Sequence, residues 1–140
     1  MTHEELPVET VSLAGEWTGM ADGKPVTFQI PGKSTCVDPS RRIAIPAEWK
    51  EKYVVTYYAK GTQSCTLGAV VNNRFPIRSG FQTGGEVEVD ITDFLNFGQE
   101  NLISPLYSIG PYVGKKGRPL VWDLSRIELR LYPRKEYRGQ

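Results

Sequence analysis

Punctuation limits this chain most: short β-branched and aromatic runs are each closed by Gly, Pro or Asn within about a dozen residues. Val26-Thr27-Phe28-Gln29-Ile30 alternates apolar and polar residues and stops at Pro31-Gly32. The run 53–59 is dense in Val, Thr and Tyr and is ended by Lys60-Gly61. The run 65–71 stops at Asn72-Asn73, residues that tolerate the left-handed backbone of a tight turn. Runs 87–90, 101–103 and 127–132 complete the set, the last with clear period two. No long amphipathic helix separates them, which predicts antiparallel sheets stacked as a sandwich and not a parallel sheet with crossover helices.

One short helix is expected near 92–97. Thr92 can cap its N-terminus and Asp93 suits the helix dipole. Ile91, Phe94 and Leu95 share a face, and Gly98 supplies the stop. At about one and a half turns it cannot hold alone, so its apolar face must pack on the sheets. The Gly/Pro-rich stretch 108–119 reads as a long loop.

With 140 residues the chain fits one domain. The expected layout is an N-terminal arm at 1–12, a sandwich at 13–132 and a basic tail at 133–140. No apolar run reaches the roughly 18 residues a membrane helix needs, so no membrane partner is expected. The start, Met1 to Pro7, is acidic and polar, unlike a secretory leader. That makes the cytoplasm the default location, with a virion-associated or extracellular one left open.

The residue inventory excludes several chemistries. His3 is the single histidine, which rules out a zinc site or a His-based triad built from this chain alone. Cys36 and Cys65 allow at most one internal bridge; the reduced state is expected, with Cys65 as a small core residue. No Gly-rich loop leads into Lys and Ser or Thr, so there is no P-loop. A net charge of +1 argues neither for nucleic acid nor for an anionic membrane, and nucleic acid is not the expected partner. The charge is uneven: residues 112–140 hold eight basic and three acidic side chains, and residues 1–111 nine and thirteen. The run 133–138 therefore offers charge to phosphates or an acidic partner, or forms a solvated tail.

A resemblance emerges at the short helix. Val70-Val71-Asn72-Asn73, then Gly84-Gly85, then Asp90-Ile91-Thr92 through Leu95, Gly98, Asn101 and Leu102 resembles the N-terminal sugar-binding domain of family 2 glycoside hydrolases, the β-galactosidase and β-glucuronidase relatives. Leu13-Ala14-Gly15-Glu16-Trp17, Ile45-Pro46-Ala47-Glu48-Trp49 and the strand 127–131 match in the same order, so the likeness covers roughly residues 13 to 132. It implies an all-β, galactose-binding-domain-like jelly-roll β-sandwich. Asn73 stands where that family has a turn Gly, and the α/β-barrel bearing the family's two catalytic carboxylates is missing. The resemblance therefore implies a binding domain without hydrolytic activity.

Glu86, Glu88 and Asp90 lie at period two on one strand face, with no Arg near them in sequence. They read as a solvated face and not as a glycosidase acid pair. Galactose-binding-like sandwiches often carry a structural Ca2+, for which these carboxylates are the candidates, but no calcium loop is recognisable and no cofactor is expected. Sugar recognition needs aromatics for the C–H faces and planar polar groups for the hydroxyls. Trp17 and Trp49 read as packing residues. The candidate ligand-binding residues are Arg74, Arg78, Phe81 and Gln82 in the loop 72–85, Tyr107 and Tyr112 in the long loop, and Trp122 before the final strand. The expected role is a non-catalytic carbohydrate-binding-like module with a glycan partner. The alternative is an assembly protein, such as a complex subunit or a virion or appendage component. It would bind protein, or a second copy in a homo-oligomer, through the same loops.

Overall fold

The computed structural model describes residues 6–34, 37–74, 82–105 and 122–134. Ten strands follow one another: β1 (Glu9–Ser12), β2 (Gly15–Ala21), β3 (Lys24–Ile30), β4 (Gly32–Ser34), β5 (Val37–Ile45), β6 (Tyr53–Leu67), β7 (Val70–Val71), β8 (Gln82–Asp90), β9 (Gln99–Ser104) and β10 (Trp122–Pro133). They form two sheets, one ordered β1-β10-β6-β8 with β4 also on β10, the other β3-β2-β5-β9-β7. Every pairing between these strands is antiparallel. This is the expected all-β sandwich. Among the described residues no helix is long and apolar enough to cross a membrane.

The alternation in the sequence decides which face of each strand is buried. Ile127, Leu129 and Leu131 of β10 and Val55, Tyr57 and Ala59 of β6 face inward and are almost wholly buried. They meet Trp17, Ile30, Ile45, Val71 and Ile103 of the second sheet in one core. Each buried Val, Leu or Ile among them stabilises the fold by about 1.5–3 kcal/mol, which favours this register over a one-residue slip. Polar atoms inside the core are paired. Trp17 Nε1 donates to the Leu13 carbonyl at 2.9 Å, and Tyr57 Oη donates to the Pro105 carbonyl at 3.1 Å. Burial pushes the Tyr57 phenol far above its ordinary value of 10.0.

Three elements differ from the sequence reading. β6 does not stop at Lys60-Gly61 but runs on to Leu67, with a register shift against β8 between Gly61 and Thr66. Gly61 pairs with Leu124 on one side and Gly85 on the other, and this two-sided pairing carries the strand through a residue that would end an edge strand. Residues 9–12, assigned by sequence to an arm, form the edge strand β1, with Val11 opposite Leu129. β5 lacks alternation and contains Pro39, yet its second half pairs with β9 from Arg41↔Ile103 to Ile45↔Gln99.

The helix expected at 92–97 is a single 3-10 turn, Thr92–Phe94. Thr92 is not its cap. The amide of Val55, near the start of β6, needs an acceptor, and the buried Thr92 hydroxyl supplies it at 2.9 Å. Ile91 is the N-cap, without a side-chain bond, and the preceding Asp90 forms an Asx turn: its Oδ1 accepts from the Thr92 amide at 2.9 Å and from the Thr92 hydroxyl at 2.7 Å. Gly98 closes the segment with φ +83 and donates its amide to the Ile45 carbonyl at 2.7 Å. One turn of helix that the sequence reading did not expect, α1 (Trp49–Lys52), precedes β6, and the Trp49 and Tyr53 rings meet edge to face at 6.1 Å.

Asn101, with none of its surface exposed, ties these pieces together. Its Oδ1 accepts from the Asn96 amide at 2.7 Å and from Asn72 Nδ2 at 2.8 Å, while its Nδ2 donates to the carbonyls of Asn96 and Gln99. Asn72 in turn donates to the Phe94 carbonyl and accepts from the Leu102 amide. With φ of 54° and 60°, Asn72 and Asn73 form the tight turn that returns the chain to Arg74.

Two outcomes are expected. Asn101→Ala strips partners from buried donors and acceptors on both sides, and lowers unfolding free energy by about 3 kcal/mol in urea titrations. A loss below about 0.5 kcal/mol removes Asn101 from its central role. Between the unfolded tyrosine value of about 10 and the higher folded value, the folded state keeps the Tyr57 proton that the unfolded state releases. Stability therefore declines as pH rises above about 10, and the decline is shallower in Tyr57→Phe.

Candidate functional site

Of the residues that the sequence proposes for ligand binding, Arg78, Phe81, Tyr107 and Tyr112 lie outside the described residues. Gln82 and Trp122 open β8 and β10 and are placed by their backbones alone. Gln82 pairs with Leu67 and Trp122 with Ser34, so both stand at the end of the first sheet where β6 finishes. Arg74 is drawn the other way. Its guanidinium lies 6.0 Å from the ring centroid of Phe94, which follows the far end of β8.

The acidic face reverses one expectation. Arginines do face Glu88, supplied by β10 across the intervening β6. Rows run across the three strands in register: Arg126–Lys60–Glu86, Glu128–Tyr58–Glu88 and Arg130–Thr56–Asp90. Arg130 bridges the two central carboxylates, its Nη1 3.0 Å from Glu88 Oε1 and its Nε 2.7 Å from Glu128 Oε2. Arg126 Nε takes the second oxygen of Glu128 at 2.9 Å, and Thr56 and Tyr132 donate to the second oxygen of Glu88 at 2.7 and 2.6 Å. Beneath them lies Tyr58, with the Arg130 guanidinium 3.7 Å and that of Arg126 5.6 Å from its ring centroid. Burial raises the Tyr58 phenol, helped by its hydrogen bond to Glu86 and the charge there, while Arg130 and Arg126 pull it back. Burial, then the hydrogen bond to Glu88, raises Tyr132 likewise.

All four carboxylate oxygens of Glu88 and Glu128 are thus engaged. The pair ties β10 to β8 across β6. Of the three carboxylates named as calcium candidates, Glu88 is engaged by Arg130, Tyr132 and Thr56, and Oδ1 of Asp90 by Thr92. Among the described residues no group of three or more His, Cys, Asp or Glu side chains is placed to hold a metal.

A different feature, unmarked in the sequence, lies at the end of the sandwich away from Gln82 and Trp122. A groove of about 450 Å³ is lined by Lys50 of α1, Asp93, Asn96 and Phe97 of the turn segment, Gln99 at the start of β9, and Arg134 just beyond β10. Thr92 and Leu95 form its floor with buried side chains. Arg134, assigned by sequence to the tail, is anchored: its amide donates to the Lys52 carbonyl and its Nη2 to the Tyr53 carbonyl, both at 2.9 Å. Its buried Nε–H has no acceptor among the described residues. Lys50 has no ion-pair partner among the described residues, and Asp93, Asn96 and Gln99 are exposed. Sequence reasoning missed the groove because its walls come from residues 50, 93–99 and 134, which share no local motif. The one signal was Arg134, which begins the basic run after Pro133.

No family model matches the chain, and no curated protein matches it either. Solved structures do. A β-D-glucuronidase from Dictyoglomus thermophilum matches with TM-score 0.63 and 18% identity, over 90% of this chain and 28% of its own. A β-glucuronidase of Bifidobacterium dentium, complexed with coumarin-3-O-glucuronide, matches with TM-score 0.60 and 14% identity, over 89% and 30%. A glycosyl hydrolase family 2 member from Bacteroides cellulosilyticus matches with TM-score 0.59 and 17% identity, over 89% and 21%. The chain spans less than a third of each of these enzymes. Its sandwich is the fold of that part of them, as the resemblance in the sequence implies.

Proposed function

We propose that this chain is a non-catalytic carbohydrate-binding-like module. The observation that carries the proposal is a sandwich shared, over about nine-tenths of the chain, with enzymes whose names describe action on glycosides. The absence of catalysis is supported by two facts. The match covers under a third of each enzyme, and the carboxylate pair Glu88–Glu128 is closed by Arg126, Arg130, Thr56 and Tyr132. Recognition needs no cofactor in this reading. It works by stacking aromatics on sugar rings and pairing planar polar groups with hydroxyls. Fold alone does not assign function, so the proposal stands or falls on binding.

A second reading, protein assembly, draws on one specific observation. Leu6 and Val8 are 77% and 58% exposed beside the edge strand β1, a placement that suits a protein partner or a second copy.

Titration of the protein with a panel of oligosaccharides separates the two. Binding is expected, with Phe81→Ala, Tyr107→Ala or Trp122→Ala weakening it about three- to tenfold wherever the ring stacks on sugar. If no oligosaccharide binds, and light scattering shows an oligomer that Leu6→Asp with Val8→Asp dissolves, assembly replaces sugar recognition.

A further inference from the structure

The groove between α1 and the start of β9 has the complement of side chains that the sequence sought in the loops, at other positions. We infer that it binds a sugar unit carrying an anionic group, a carboxylate or a sulfate, and that Lys50 and Arg134 take the anion. The inference rests on the carbohydrate-binding reading above and assigns that reading a site.

Charge comes first. The two cations come from neighbouring segments, α1 and the residue after β10 that is bonded to its end, and Asp93 is the one acid among the described lining residues, which leaves their balance positive. A neutral sugar would leave the Lys50 ammonium without a counter-charge, whereas an anionic one pairs with it through a charge-assisted hydrogen bond. Preorganisation comes second. Arg134 is fixed by two hydrogen bonds to the backbone at Lys52 and Tyr53, so its guanidinium is already ordered before a ligand arrives. Its buried Nε–H has no acceptor among the described residues, so a donor beside the groove stands unmatched there. Shape and the remaining chemistry come third. Asp93, Asn96 and Gln99 supply a carboxylate and two carboxamides, the planar groups that engage ring hydroxyls in pairs. Half-buried Phe97 contributes apolar surface at the same wall. A groove of about 450 Å³ falls within the roughly 300–1,000 Å³ range of small-ligand sites.

The test is calorimetric titration of the full chain with three oligosaccharides of equal length, one neutral, one carboxylated and one sulfated, and with inorganic sulfate alone. The acidic oligosaccharides are expected to bind about tenfold or more tightly than the neutral one. Lys50→Glu is expected to abolish that preference, and Asn96→Ala with Gln99→Ala to weaken both classes. Lys50, Asn96 and Gln99 are exposed, so an unchanged melting temperature shows that these variants fold. The carboxylated and sulfated arms identify which anion the groove prefers. Sugar binding that is indifferent to charge and to Lys50→Glu overturns the inference and leaves the carbohydrate-binding reading standing. No binding of any oligosaccharide overturns both. Inorganic sulfate binding as tightly as the sulfated oligosaccharide overturns the assignment of a sugar.

Discussion

A single buried carboxamide governs one end of this sandwich. Asn101 uses both acceptor directions of its oxygen and both hydrogens of its nitrogen, and it does so inside the protein, where an unmatched polar atom is costly. Its partners belong to three separate pieces of chain: the turn at Asn72, the bend at Asn96 and the opening of β9 at Gln99. A fully matched buried network has few alternatives of equal energy, so it holds those pieces in one arrangement. Asn96 and Gln99 are bonded through their backbones, and Phe97 lies between them. The backbone of two groove residues is therefore fixed by a side chain that does not line the groove.

The outer face of the first sheet shows the same economy in charges. Residues of opposite sign stand in neighbouring rows, and Arg130 lies across them with Tyr58 beneath. Its guanidinium meets two carboxylates and an aromatic ring at once, a combination for which a lysine has neither the planar fork nor the spread of donors. Glu128 is 4% exposed, and a carboxylate so deeply covered is tolerated because both of its oxygens are answered. At its centre the face is held by paired charges, each oxygen of Glu88 and Glu128 having a donor.

The legible parts of the sequence were those where local pattern and tertiary burial agree. Period two at 127–132 and 26–30 survives in β10 and β3 because each strand has one face on the core. The pattern failed where pairing overrode it. Gly61 reads as a stop yet sits mid-strand between two partners, and β5 shows no alternation yet is held by β9. Thr92 was legible as a polar residue at a chain reversal, but its direction was not, because the amide that needs its hydroxyl belongs to Val55, 37 positions away. The acidic strand was read correctly as one face. Its arginines were invisible because they arrive from β10, more than 35 positions downstream of Glu88. Among the loop residues proposed for binding, Arg74 turns toward Phe94 instead of toward Gln82 and Trp122. The groove had little local signature beyond Arg134, since Lys50 and Arg134, 84 positions apart in sequence, come to line it only once β10 has paired with β6.

The placement of β10 has a consequence for how such a chain is made. This strand pairs with β1, β4 and β6, so three of the five elements of its sheet are organised by residues 122–133. A nascent polypeptide that has emerged only as far as residue 121 has the inward faces of β1 and β6 but nothing to lie between them. Those faces stay open to solvent and to chaperones until the ribosome delivers the missing centrepiece, and folding then proceeds by joining segments far apart in the chain, a slow route.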